Sequence, residues 1–573
     1  MRYLALAADY DGTLATHGRV PERTVSALER LVGSGRKLIL VTGRVLPDLL
    51  EIFPRIDLCE RVVAENGALL YRPAVKELEV LAPAPSAVFV DELRRRGVED
   101  LSLGQSIVAT RYPHEQVMLE VIRDLGLELR IVFNKGAVMV LPTGITKASG
   151  LMAALKELNL SPHNVVAIGD GENDHALLSL CEYGVAVANA VPMLKEGADR
   201  TTTADHSAGV EEIIADLLDN DLESDQLESS RHRILLGKRD HGEEFTFYPA
   251  RRNLLLAGTS GSGKSTLATG ILERLGRRGY QFCVIDPEGD YEAFTEAVVL
   301  GTVERGPSVQ EILTALDKPN TSVVVNLVGL PLQDRPSFFL GLVPRLQELR
   351  AKTGRPHWIL VDETHHLLPA DWNPASLVLA QKLSCMIYVT VHPDQIERSV
   401  LETVDTLIAL GEAPEKTIAD YCAAIRAAVP SMPVRRLVAG EAVVWDRAAQ
   451  DAPFKLHIAP GEMDRRRHRR KYAEGELPQD RSFYFRGPSG RLNLRAQNLI
   501  LFAQIADGVD DATWEHHLHL GHYSRWFAEG IKDEALAEAA RRIEKRHGLS
   551  PAESRRLMRA AIEEHYTIPA DSK

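Results

Sequence analysis

The chain has 573 residues, 45% of them hydrophobic and 26% charged, and a formal net charge of −13. That length exceeds one core and implies about three or four domains, while the acidic balance excludes a surface that attracts nucleic acid or anionic lipid as a whole, though not a local basic patch. No uninterrupted apolar run approaches the ~20 residues of a membrane span, and Asp9 and Asp11 come too early for a secretory signal, so a cytoplasmic protein is expected.

Residues 1 to about 220 alternate short apolar runs with amphipathic helical patterns. "KLILVTG", "NVVAIGD" and "YGVAVAN" read as buried parallel strands. This alternation predicts a doubly wound α/β region whose ligands gather beyond the C-terminal strand ends. Four pieces stand at such ends or at helix starts: Asp9 and Asp11 in "DYDGT", Thr42 closing "KLILVTG", Lys147 in "TGITKASGL", and Asp170 and Asp174 in "GDGEND".

Together these residue types suit phosphate chemistry. Asp9 would attack phosphorus and form an aspartyl-phosphate. Asp11 would protonate the leaving oxygen and later deprotonate the attacking water. A carboxylate approaching a phosphate dianion needs positive charge, which Lys147 and a hard cation would supply. Asp9, Asp170, Asp174 and the backbone carbonyl of Asp11 make an oxygen-only shell that suits Mg²⁺. Thr42 and the Gly43 amide would bind phosphoryl oxygens.

This set resembles the haloacid dehalogenase (HAD) superfamily over residues 1 to about 218, and the second Asp of its DxD points to the phosphatases. The resemblance implies a Rossmann-like core over 1–222 with an inserted α/β cap at about 83–140. "AENGALLY" (64–71) is similar to the Cof-like sugar-phosphatase branch and to phosphoglycolate and mannosyl-phosphoglycerate phosphatases. "VANAVPMLKEGAD" matches the family's closing stretch, where Asn189 is a candidate for substrate contact or for packing.

The polar segment "DNDLESDQLESSRHR" (219–233) reads as a linker, and a second α/β part follows over 231–450. "NLLLAGTSGSGKSTLATG" (253–270) places GxxxxGKS between a strand and a helix, the context the motif requires. Gly258, Gly261 and Gly263 shape the loop, and amides of residues 259–265 would cradle the β-phosphate of ATP. Lys264 would bridge β- and γ-phosphates, and Ser265, next to Thr266, would hold Mg²⁺. "HWILVDETHHLLP" supplies Asp362 for the metal through water and Glu363 to polarise the attacking water. His365 and His366, adjacent on a helix, point apart and suit packing or capping better than metal.

"VIDPEGDY" (284–291), "DETHHLLP" and "YVTVHPDQI" (388–396) resemble the HerA/FtsK class of P-loop ATPases, which implies ATP binding and a candidate homo-oligomer. His392 stands where that class commonly carries a sensor glutamine. Arg435 and Arg436 are the candidates for an arginine finger.

"DRRRHRRK" (464–471) is a basic run in an acidic chain, read either as a nucleic-acid contact or as a solvated helix or linker. Residues 472–573 form a helical module in which His516, His517, His519 and His522 either bind a ligand or flank a small core of Trp514, Tyr523, Trp526 and Phe527. The five cysteines form no CxxC pair and read as reduced, mostly buried thiols. The expected fold is therefore α/β: a HAD core with an α/β cap, a P-loop NTPase domain and a helical C-terminal module. The favoured function is a Mg²⁺-dependent phosphatase of a small phosphorylated metabolite with an ATP-binding part that regulates or assembles it. The alternative is a ring ATPase acting on nucleic acid with an attached end-phosphatase.

Overall fold

The apolar runs at the start of the chain form the middle of a sheet, because a strand covered on both faces has no need of a polar face. The computed structural model describes residues 1–223, 231–292, 294–370, 384–432, 436–447, 449, 452–461, 477, 482–488, 490, 492–531, 533–546 and 548–566. The chain forms two compact units, Met1–Ala459 and Pro460–Lys573.

The first unit opens with β1 (Ala5–Ala8), β2 (Lys37–Val41), β3 (Cys59–Ala64), β4 (Leu69–Arg72) and β5 (Glu77–Val80). An insertion follows with β6 (Ser102–Leu103), β7 (Val108–Arg111), β8 (Leu129–Asn134) and β9 (Ala137–Pro142). The chain then returns through β10 (Val165–Gly169), β11 (Tyr183–Ala186) and β12 (Arg200–Thr201). The main sheet has eight strands in the order β12-β11-β10-β1-β2-β3-β4-β5. β1 pairs in parallel with both β2 and β10, so the chain reverses its winding direction there and opens a crevice at the strand ends.

The insertion is a separate four-stranded antiparallel sheet, β6-β7-β9-β8, backed by helices Ala87–Arg95 and Glu115–Asp124. Phe89 and Leu93 stand four residues apart and so share one helix face, which packs with Met118, Val121, Val138 and Val140 in a core of their own.

A second sheet follows in the same unit, from β13 (Ile234–Arg239), β14 (Glu244–Phe247), β15 (Leu254–Gly258), β16 (Phe282–Asp286), β17 (Ala297–Leu300), β18 (Ser322–Asn326), β19 (Trp358–Val361), β20 (Met386–Thr390), β21 (Thr406–Leu410), β22 (Glu441–Asp446) and β23 (Phe454–Ile458). Its order is β14-β13-β23-β22-β21-β15-β20-β19-β16-β18-β17. The strands from β21 to β17 are parallel, and an antiparallel flank closes the other side. β15, which precedes the P-loop, lies between β21 and β20 at the centre.

The two α/β parts meet at a buried carboxylate. Glu182, just before β11, accepts hydrogen bonds from Arg2, from Tyr248 (2.6 Å) and from Tyr280 (2.7 Å), and pairs with His163 Nδ1 (2.6 Å). His163 Nε2 in turn donates to the Arg278 carbonyl at 2.6 Å. Burial alone would raise the Glu182 carboxyl, but Arg2 and His163 outweigh it and hold it well below the usual carboxylate range. Nearby, Arg355 donates to the Asn159 carbonyl and Asn159 Nδ2 to the Asp317 carbonyl, both at 2.8 Å.

The C-terminal unit is helical as expected, with five helices between Leu499 and Tyr566 making up most of its described residues. It also contains a two-stranded ribbon, β24 (Phe483–Phe485) with β25 (Leu494–Ala496), which no alternation announced. The rings of Phe483 and Phe485 are absorbed into the core of Trp514, Tyr523, Trp526 and Phe527. His517 Nε2 accepts the Arg486 backbone N–H and its Nδ1 pairs with His522 Nδ1 at 2.9 Å, so these two imidazoles serve packing. The basic run 464–471 and Arg435 lie outside the described residues. All five cysteines are free. Among the described residues no helix is long and apolar enough to cross a membrane.

Candidate functional site

At the first crevice, Asp9 follows β1, Thr42 follows β2 and Asp170 follows β10, all at the switch between β10, β1 and β2. Lys147 does not merely precede a helix but begins it: Thr146 caps Lys147–Glu157, and a capping box with Ser149 fixes the first turn. The lysine is thereby aimed inward, and only 1% of the residue is exposed. Its Nζ lies 2.5 Å from Asp9 Oδ1 and 2.6 Å from Asp174 Oδ1. Asp174 Oδ2 accepts the backbone N–H groups of Asp170 and Gly171 at 3.0 and 2.9 Å.

Two glycines make room for this arrangement. A Cβ on Gly169 would lie 2.6 Å from Asp174 Cγ. A Cβ on Gly67, whose φ is +109°, would lie 1.9 Å from the Thr146 carbonyl oxygen. The glycine of "AENG" thus lets the cap of the lysine's helix approach.

Asp9, Asp170 and Asp174 bring carboxylate oxygens within 4.8 Å of one another. Burial raises Asp9 well above the ordinary carboxylate value, and the charges of Asp174 and Asp170 add to it against the pull of Lys147. Burial also raises Asp170, countered by Lys135. Three buried carboxylates facing one buried ammonium leave an excess of negative charge, and an oxygen-only donor set of this kind fits a hard divalent cation.

The Asp11 side chain does not join this cluster. Arg44 holds it with two bonds of 2.6 Å, and 41% of the aspartate side chain is exposed. Thr42 is buried, and its Oγ1 accepts the Arg44 backbone N–H at 3.2 Å. Asn189 donates to the Gly12 carbonyl at 2.8 Å and accepts the His206 N–H at 2.6 Å, so it braces the loop after Asp11.

Sequence reasoning passed over three residues here. Arg44 follows "TG" directly and was open to suspicion as a cation next to a phosphate loop. Glu65 is buried and accepts the backbone N–H groups of Gln105, Ser106 and Ile107 at 2.8–3.1 Å, tying the core to the inserted sheet. Lys135 sits at the tip of the β8–β9 hairpin and contacts Asp170 through Nζ. Neither of the last two carries a residue-type signal.

At the second crevice β15 ends at Gly258, β19 leads into Asp362 and β20 ends before His392. Gly261 and Gly263 have φ of +74° and +95°, the left-handed region that glycine enters freely. Lys264 is buried at the start of helix Lys264–Arg277, and its Nζ donates to the carbonyls of Gly258 and Thr259 at 3.0 Å. Ser265 Oγ donates to Asp290 Oδ2 at 3.2 Å, and Thr266 is exposed. Asp286 shapes the turn that presents Asp290, accepting the N–H groups of Gly289, Asp290 and Tyr291.

Burial, reinforced by the charges of Glu363, Asp286 and Asp290, pushes Asp362 up to about 8 against a backbone N–H from Glu363. Glu363 has φ +39°, and its Oε2 is buried without a hydrogen-bond partner. It lies 3.4 Å from His365 Nδ1. His365 is buried against Thr390 Oγ1 at 3.1 Å, and burial lowers it to about 4, whereas His366 is exposed. His392 is exposed too, its backbone N–H held by Thr390 Oγ1, and Arg436 is exposed. The acidic groups around Lys264 and Ser265 suit a nucleotide's magnesium.

Two family descriptions match the chain: haloacid dehalogenase-like hydrolase over residues 6–87 and 107–214, and helicase HerA, central domain, over 249–334. The phosphoglycolate phosphatase of Haloarcula marismortui is 31% identical over 219 residues, covering 37% of this chain and 95% of that protein. The phosphoglycolate phosphatase of Methanothermobacter thermautotrophicus is 32% identical over 217 residues, 37% of this chain and 96% of its own. A solved haloacid dehalogenase-like hydrolase from Bacteroides thetaiotaomicron is 21% identical over 38% of this chain and 99% of that one, with a TM-score of 0.33. The chain belongs, through its first 214 residues, to the haloacid dehalogenase-like hydrolases, with a part similar to the central domain of HerA fused after them.

Proposed function

We propose that the chain is a Mg²⁺-dependent phosphatase of a small phosphorylated metabolite, of the sugar-phosphate or phosphoglycolate kind, and that its ATP-binding part regulates it. The observation that carries this reading is the buried cluster of Asp9, Lys147, Asp174 and Asp170 at the crevice of the matched region. The names of the relatives support the choice of substrate.

In this mechanism an Asp9 carboxylate oxygen attacks phosphorus. The bond to the leaving oxygen breaks, and that oxygen takes the proton of Asp11, which must turn away from Arg44. Water then attacks the aspartyl-phosphate and gives its proton back to Asp11, so phosphate leaves and Asp9 is restored. Lys147 draws Asp9 toward its ionised form against the burial that raises it, and offsets charge on the phosphoryl oxygens. A magnesium ion on Asp9, Asp170, Asp174 and the Asp11 carbonyl would supply Lewis-acid charge neutralisation. Gly258, Gly261, Gly263, Lys264, Ser265, Thr266 and Asp362 would bind Mg²⁺-ATP, with Glu363 placed to polarise water if the nucleotide is hydrolysed. The Glu182 seam supports regulation, since it joins the end of the P-loop helix, at Arg278 and Tyr280, to the segment that leads into β10 and Asp170.

The match to HerA favours a second reading, a ring ATPase on nucleic acid with an end-phosphatase. Phosphate release from phosphosugars, phosphoglycolate and 5′- or 3′-phosphorylated oligonucleotides separates them. Release from a small phosphometabolite, lost in Asp9→Asn, supports the first reading. Release confined to oligonucleotide ends, with ATP hydrolysis stimulated by DNA, supports the second.

A further inference from the structure

We infer that Lys135, at the tip of the β8–β9 hairpin, is the specificity residue of the first site and selects phosphomonoesters that carry a second negative charge, the phosphorylated carboxylates. The inference rests on the phosphatase reading above and goes further by naming what recognises the non-transferred part of the substrate.

Three observations carry it. First, the tip's backbone is fixed at the crevice. Asn134 pairs with Ala137, leaving Lys135 and Gly136 as a two-residue turn with φ of +45° and +88°. Both central residues of such a turn require positive φ, for which Asn, Asp and Gly are favoured. The Lys135 backbone N–H donates to Glu172 Oε2 at 3.2 Å, which fastens the tip over the crevice.

Second, the tip brings an ammonium from the inserted sheet into the crevice. In-line displacement puts the leaving oxygen opposite the attacking Asp9 oxygen, so the rest of the substrate points from the strand ends toward the inserted sheet. There Lys135 Nζ reaches Asp170, and a Cβ on Gly12 would lie 3.2 Å from it.

Third, the ammonium is surplus to the catalytic charges. Asp9, Asp11, Asp170 and Asp174 are balanced by Lys147, Arg44 and one divalent cation. A divalent cation on Asp170 would repel the ammonium, which is then available to the anion that arrives with the substrate.

The test compares phosphoglycolate with phenyl phosphate, which has no second charge. The ratio of kcat/KM for the two should fall about tenfold in Lys135→Met and recover in Lys135→Arg. That modest size follows from the 42% exposure of the side chain, which lets solvent screen the contact. Calorimetric binding of phosphoglycolate to Asp9→Asn, with and without Lys135→Met, reads the same contact without turnover, and a matching loss of affinity is expected. An unchanged ratio together with unchanged affinity overturns the inference, as does an equal fall for both substrates. A wild type that hydrolyses neither compound contradicts the phosphatase reading instead, and the binding comparison then decides the role of Lys135 alone.

Discussion

Lys147 holds the charge balance of the first site. Removing its ammonium leaves three carboxylates converging in a buried space, and breaking a buried pair from one side costs roughly 3–5 kcal/mol. Lys147→Ala should therefore lower stability in denaturant by about that amount without divalent cation and abolish phosphate release. Retained stability would show that the carboxylates relax into solvent. Asp362 makes a second prediction. Its folded value is raised from 3.8 to about 8, so between those values the folded chain keeps a proton that the unfolded chain has lost. Stability contributed here is present at low pH and falls as pH rises through that window. In titrations of the protein without nucleotide, Asp362→Asn should flatten the decline between pH 5 and 8, whereas an identical slope in the variant would place the cause elsewhere.

At the scale of elements, both crevices owe their legibility to strand ends. Asp9, Thr42, Asp170 and Gly258 follow apolar runs that any buried parallel strand would show, and glycines with positive φ left their mark in "GTSGSGKS". The contacts between elements were not legible. Glu65 spends its carboxylate on backbone N–H groups about 40 positions away, and backbone donors carry no residue-type signature. Asp11 was legible as a residue, but not its pairing with Arg44, which depends on how two loops face each other. The β24–β25 ribbon escaped because "FYF" is too short and too uniformly aromatic to show a period of two. Gly67 illustrates an element-level constraint that can be tested. A Cβ there would meet the Thr146 carbonyl at 1.9 Å, with a backbone φ of +109° that alanine resists. Gly67→Ala should cost about 2 kcal/mol or more and shift the helix that carries Lys147. Phosphate release should fall while nucleotide binding at Lys264 stays, and loss of both would mean that the change spreads through the whole unit.

For the molecule as a whole, the Glu182 seam decides whether the two proposed phosphate sites are independent. Its partners run from Arg2 to Tyr280, a span that no local pattern could disclose. The packing favours coupling: Arg278 and Tyr280 follow the P-loop helix, and His163 lies just before β10, whose end carries Asp170. A non-hydrolysable ATP analogue should change kcat/KM for the phosphatase reaction, and Glu182→Gln should reduce that change while leaving each site able to bind its own ligand. An analogue effect of equal size in the variant would remove the seam from the path of communication.

The most direct test of the central claim is to trap the covalent state of the first site. The wild type would be mixed with Mg²⁺ and phosphoglycolate labelled in the phosphoryl group, quenched in acid, and digested for peptide mapping. Label on the peptide that carries Asp9, absent in Asp9→Asn, is the predicted result. Rapid phosphate release with no label on that peptide, or label that survives in Asp9→Asn, would contradict it.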